Sequence, residues 1–326
     1  MHTLHLSRRA ALACSLAVLA SAPAVAQEAS YPSKPITIVV GYPPGGSTDL
    51  TGRVVATELG NRLGVPVVIE NIGGAGGAIG AQKVASAAPD GYTLLVGASN
   101  EIAINKLVTK KVKYDIKDFT AIGLVASQPL VLVASPASGV KNAADFIQLV
   151  SKNPGKYSYG SSGVGTSLHL AGEMLKSQGK LFMTHIPYRG VAPLTNDLMG
   201  NNLEYGVFVL SSGLPHIKSG KVIALGTTEA NRSAATPDIP AISESAQYKN
   251  VDIGVWFALM APAHLPKPVF DKLKKALNEA LQAPELRKKL ESSGSTVSSP
   301  SVNIDKFLAA EVAKYKQIVE FAKIEE

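Results

Sequence analysis

The stretch Ile36-Thr37-Ile38-Val39-Val40-Gly41-Tyr42-Pro43-Pro44-Gly45-Gly46-Ser47-Thr48-Asp49 decides the fold. Its first five residues are apolar or β-branched without alternation, which predicts a strand buried on both faces. Glycine and proline then end the strand, and Ser47, Thr48 and Asp49 are residue types that open helices. Beyond them Leu50, Val54, Val55, Leu59 and Leu63 share one helical face, and Gly64 stops the pattern. Strand, glycine loop and helix start together make a seat for an anion. The loop can turn its N–H groups inward, and the helix start carries partial positive charge. An ordinary β-to-α turn would use the same residues. The plan recurs, however, in Tyr157-Ser158-Tyr159, then Gly160-Ser161-Ser162-Gly163-Val164-Gly165-Thr166-Ser167, then a second helical pattern. Two such loops predict a protein that grips a small carboxylated molecule between two lobes.

Working outward, Pro66–Glu70 and Tyr92–Val96 read as strands and Ala78–Ala87 as the helix between them. This β-α-β-α-β order predicts a parallel, doubly wound sheet. Thr120–Ser135 holds two apolar runs broken by Ser127-Gln128-Pro129 and is read as the crossing into a second lobe. That lobe repeats the plan, with helices at Ala143–Lys152, Ser167–Gln178 and Ala192–Met199. Its strands are Tyr157–Tyr159, Met183–Ile186, Leu203–Val209 and Val222–Thr227. Asp252–Ala261 is the return crossing, and Lys267–Gln282, Pro284–Glu291 and Asn303–Lys323 finish the chain as helices. The fold expected is α/β: a type II, two-lobed binding-protein architecture with mixed, doubly wound sheets and a ligand cleft between lobes. Residues 27–127 with 250–326 form lobe 1, and 128–249 form lobe 2.

The first 26 residues read as a secretory leader, not as part of the fold. Arg8 and Arg9 are its basic start, Ala10–Ala20 its apolar run, and Ala24-Val25-Ala26 its cleavage site. Cleavage after Ala26 places the chain in the periplasm. Without the two leader arginines, 30 basic residues face 25 acidic ones, a net charge of +5. That charge is spread along the chain with no dense Lys/Arg block, so no nucleic-acid partner is expected. The sole cysteine, Cys14, leaves with the leader, which excludes disulfides and thiolate metal sites from the rest.

Enzyme signatures are missing. No Gly-x-Ser-x-Gly elbow occurs, and Gly155-Lys156 is followed by Tyr157, which rules out a P-loop. Gly73-Gly74-Ala75-Gly76-Gly77-Ala78-Ile79-Gly80 has Ile79 where a dinucleotide fingerprint needs glycine, and reads as a tight turn opening a helix. His169, His185, His216 and His264 do not pair at metal spacing. Ser161 and His169 could make a nucleophile and base, but no third partner is evident. Neither cofactor nor metal is expected.

The chain resembles the extracytoplasmic receptors of tripartite tricarboxylate transporters, the Bug receptors. The resemblance is carried by Pro43–Asp49, Glu70-Asn71, Ala88–Leu95, Asn153–Lys156, Gly163–Glu173, His185–Gly190, Leu214-Pro215-His216, Arg232-Ser233, Pro237–Pro240 and Trp256-Phe257. It implies a monomeric periplasmic receptor, not an enzyme, that closes on a dicarboxylate, tricarboxylate, acidic amino acid or aromatic carboxylate and delivers it to membrane permease subunits. Gly45, Gly46, Ser47 and Thr48 are expected to take one carboxylate; Ser161, Gly163, Thr166 and His169 another. Tyr42, Asp49, Ser99, Ser162, Arg189 and Phe208 complete the expected site, with Asp49 the more natural loop brace. Many family members carry an Asp-Asn pair before Leu-Pro-His; here Phe208 and Val209 stand there. That predicts a ligand without an amino group, with Tyr42, Phe208 and Trp256 offering ring contacts. A hydrolase on the same fold, or a receptor feeding a sensor kinase, are the competing readings.

Overall fold

The computed structural model describes residues 31–233, 236–322 and 324. The expected leader and Cys14 lie outside them. Lys34–Glu326 forms a unit of its own.

β1 (Ile36–Val40) is apolar on both faces because it is a middle strand. β2 (Val67–Asn71) and β3 (Thr93–Ala98) pair with it in parallel, one on each side. The crossover helices are α1 (Ser47–Leu63) and α2 (Ala78–Ala85). β9 (Gly254–Pro262) adds antiparallel to β3, and β4 (Phe119–Ala134) adds antiparallel to β9. A two-residue strand, β10 (Thr296–Val297), pairs with β4.

β4 is a single 16-residue strand, not two runs separated by a turn. Residues 119–129 pair with β9 in the first sheet. Residues 130–134 continue into a second sheet, between β7 (Tyr205–Val209) and β8 (Ile223–Thr227). Proline lacks a ladder donor, so it suits a strand only where pairing changes. Pro129 stands at that changeover, opposite Gly254. The Gln128 side chain is fully buried there; it donates to Ser295 Oγ at 2.6 Å and accepts from the Ser211 N–H at 3.3 Å. The second sheet is completed by β5 (Ser158–Ser161), parallel to β7, and β6 (Thr184–Pro187), parallel to β5.

The short α3 (Asn105–Val108) follows β3, and α4 (Ala143–Ser151) follows β4. α5 (Ser167–Gly179), α6 (Val191–Met199) and α7 (Leu210–Lys218) leave the C-terminal ends of β5, β6 and β7. α7 has no counterpart in the sequence reading; it contains Pro215. The closing helices are α8 (Lys267–Leu281), α9 (Pro284–Ser292) and α10 (Ile304–Ala322). α8 packs on α1 and β4, whereas α10 touches both β4 and α5.

Candidate functional site

The C-terminal end of β1 becomes a cradle because Asp49 shapes the loop before it. Asp49 is 3% exposed. Its carboxylate accepts from the Gly45 N–H at 2.9 Å, Asn71 Nδ2 at 2.9 Å and Arg53 Nε at 3.0 Å. Burial pushes the carboxyl up, but those donors outweigh it and hold it below the usual range. Gly45 has φ of +89°, a conformation that strains any side chain. Gly46 caps α1 with no side-chain hydrogen bond. The first N–H groups of a helix have no partner inside it. At α1 they face a cavity of about 370 Å³, lined by Gly45, Gly46, Ser47 and Thr48.

The start of α5 is different. Thr166 Oγ1 accepts from the His169 N–H at 3.4 Å and donates to Gly163 O at 2.8 Å. The Ser167 N–H donates to Asn100 Oδ1, 2.7 Å away, a residue of the first sheet's side. Ser161 is fully buried; its Oγ meets His185 Nε2 at 2.7 Å, not His169. His169 Nδ1 accepts from the Gly165 N–H at 3.1 Å, and its ring stacks on His185 at 3.9 Å. Burial, then His169 and Lys176, push His185 down to about 3, so it is neutral at pH 7. Ser161, Thr166 and His169 shape the 161–167 loop from behind and line neither this cavity nor the larger one beside it.

Between the two helix starts lies a network centred on Tyr42 Oη. It donates to Gly76 O (2.9 Å), accepts from Asn100 Nδ2 (2.8 Å) and lies 3.0 Å from Glu101 Oε2. One hydroxyl proton cannot serve both Gly76 and Glu101. The arrangement is satisfied when Glu101 is protonated and donates to Tyr42. Burial raises Glu101 to about 7, which agrees. Gly77, at φ +91°, must be glycine: a Cβ would come within 2.9 Å of Glu101 Oε2. The glycine-rich turn is therefore a close-packing device.

A second cavity of about 1030 Å³ shares Tyr42, Pro43, Ser162, Arg189 and Gly190 with the first. Among the described residues, Arg189 is the only Asp, Glu, Lys or Arg lining the smaller cavity; Lys111 and Lys113 join it in the larger, which Gly163 also lines, and no described Asp or Glu lines either one. Ser99 is fully buried off the wall, and its neighbour Asn100 lines the smaller cavity instead. Phe208 points into the core beside Leu194 and Leu214, while Val209 faces the cavity. Trp256 lies apart from both, its Nε1 donating to Glu311 at 2.9 Å. Among the described residues no cluster of three His, Cys, Asp or Glu could hold a metal ion. No described helix is long and apolar enough to cross a membrane.

The family profile "tripartite tricarboxylate transporter family receptor" matches residues 51–324. The chain belongs to this family. Among solved relatives, the periplasmic binding protein BugD is 33% identical with a TM-score of 0.84, over 90% of this chain and 99% of BugD. An R. palustris protein solved with adipate is 29% identical, TM-score 0.86, over 90% of this chain and 99% of its own. MatC from Rhodopseudomonas palustris, solved with malate, is 28% identical, TM-score 0.82, over 89% and 100%. The receptor thus has the α/β fold of two-lobed periplasmic binding proteins, with a cleft between lobes. Sequence reasoning about this receptor missed Asn100, Ser167, Val209, Ser212 and the α6 residues Thr195 and Asn196, all lining the smaller cavity. Ser167 Oγ and Ser212 Oγ are buried there without a hydrogen-bond partner.

Proposed function

We propose that this receptor is a periplasmic protein that captures a small carboxylate lacking an amino group and delivers it to the membrane subunits of a tripartite tricarboxylate transporter. The observation that carries the reading is the charge pattern of the smaller cavity. The uncapped helix starts of α1 and α6 and Arg189 face it, and no described carboxylate side chain does. One carboxylate is held by the N–H groups at Gly46, Ser47 and Thr48. The other end of the solute meets Arg189, Ser162 and the polar face of α6. Pro43, Val191 and Val209 supply apolar wall for the carbon skeleton. A charge-assisted hydrogen bond contributes about 1.5–3 kcal/mol. A helix start adds about 0.3–1 kcal/mol, more when partly buried. Four or five such contacts amount to about 6–15 kcal/mol, enough to supply the ~8 kcal/mol of micromolar affinity after ordering costs. The lobes are residues 27–127 with 250–326, and 128–249; contacts from both favour closure. Adipate and malate in the solved relatives support this ligand class, and the leader supports export.

Isothermal titration against adipate, malate, citrate, terephthalate, glutamate and the neutral diamide of adipate tests the proposal. At least one carboxylate without an amino group should bind in the micromolar range, and the diamide should not. Binding by none of the acids, or tightest binding by glutamate, would refute it.

A further inference from the structure

Asn100 opens a π-helical turn, Asn100–Ile104, directly after β3, and is 4% exposed. Both ends of its amide are used. Nδ2 donates to Tyr42 Oη at 2.8 Å, and Oδ1 accepts from the Ser167 N–H at 2.7 Å. A backbone N–H can only donate, so the Asn100 atom facing Ser167 must be the oxygen. The partners stand on opposite sides of the cleft: Tyr42 follows β1, and Ser167 is the first residue of α5. The N–H of a first helical residue has no partner within its helix. In α5 it is met by a protein amide oxygen, and the Thr166 side chain accepts from the His169 N–H in the same turn. In α1, by contrast, Gly46 offers no side chain.

We propose that Asn100 is a built-in latch: its amide oxygen stands in for a solute carboxylate at the start of α5, ties the two lobes together there, and leaves the solute's charge to the helix starts without a side-chain cap that line the smaller cavity, those of α1 and α6. The surrounding packing agrees. Asn105 Nδ2 donates to Gly76 O at 3.0 Å, stiffening the lobe 1 side. Gly165, at φ +71°, lies so close to Val108 that a Cβ would come within 2.9 Å of its Cγ1. The bond joins protein groups alone, so it favours the closed arrangement whether or not the cleft is filled. Asparagine suits the position because one group both accepts from Ser167 and donates to Tyr42. An aspartate could not donate, and it would put negative charge on a wall that has none. The latch requires two lobes but no particular solute.

The test measures lobe separation without solute. Spin labels are placed at Val68→Cys and Phe182→Cys in a Cys14→Ser background; Val68 is 48% exposed on β2 and Phe182 71% exposed before β6. The otherwise unaltered chain should populate the separation seen in the structure. Ser167→Pro deletes the donor with little cost to the helix, because proline is well tolerated at the first helical position and Thr166 is extended (φ −77°, ψ 159°). Ser167→Pro and Asn100→Ala should each reduce the closed-to-open ratio by roughly three- to tenfold. The double variant should go no further than either single one, because both remove the same bond. Should Asn100→Ala fail to fold, Ser167→Pro alone decides. Unchanged distances in the folded variants, or a parent chain that never populates the closed separation, would overturn the latch. No solute enters this experiment, so its failure is distinct from failure of the carboxylate reading.

Discussion

Replacing Gly46 with valine separates the seat from the fold. Gly46 has φ −81° and ψ 172°, a β-region conformation that valine adopts readily. A Cβ there would meet nothing nearer than Pro43 O at 3.9 Å, so the side chain enters open space. That space is the cavity in front of the α1 N–H groups. Valine is a poor helix N-cap compared with glycine, which costs roughly 1 kcal/mol of stability and a few degrees of Tm. The effect on binding is larger. Covering the seat removes at least two charge-assisted hydrogen bonds at about 1.5–3 kcal/mol each. A loss of about 3–6 kcal/mol weakens Kd by roughly 10²- to 10⁴-fold. Titration calorimetry with whichever carboxylate binds the parent protein measures this, and a thermal melt confirms the fold. A folded Gly46→Val protein whose affinity stays within about threefold of the parent would refute the seat.

Val209→Asp puts an acid on a cavity wall at a position only 5% exposed. Titration should show the non-amino carboxylate weakened by at least about tenfold and glutamate binding gained; no change in preference would contradict the wall assignment. Glu101→Gln addresses pH. Burial raises this carboxyl from 4.5 to about 7. The folded state therefore holds a proton that the unfolded state has released, and stability falls as pH rises from about 4.5 to 7, by about 3 kcal/mol across the window. Glutamine can still donate to Tyr42 and accept from the Ala98 N–H, so melting curves of the variant should lack that loss and exceed the parent at pH 8. Parallel pH profiles for the two proteins would show that Glu101 does not titrate in this range.

The first-sheet strands and α1 were legible because their residues announce themselves locally: an unbroken apolar run, then a helical stripe closed by Gly64. β4 was not. Ser127-Gln128-Pro129 looks like a turn until Gln128 finds Ser211 and Ser295, partners 83 and 167 residues away. α7 was hidden by Pro215, which reads as a breaker, yet the helix packs close enough that Gly213 faces Phe208 and Val131. At the site, the loops could be located but not the facing of adjacent residues. Ser99 and Asn100, Thr166 and Ser167, and Phe208 and Val209 differ by one position in chain and by the whole wall in space. Strand alternation fixes such parity only once register is known. Asn100 stands at a strand's C-terminal end, the edge where open α/β sheets bind ligands, but nothing local announces its partner Ser167, 67 residues later.

A cradle built from main-chain amides has an evolutionary consequence. No codon change can delete the Ser47 or Thr48 N–H except one to proline, whereas the residues of α6 and β7 that face the cavity, Thr195, Asn196 and Val209, can be exchanged without touching the core residues Leu194, Leu198 and Phe208. Descendants of such a gene can therefore drift from one acid to another by altering the facing panel, while the anchoring end persists without needing any particular side chain.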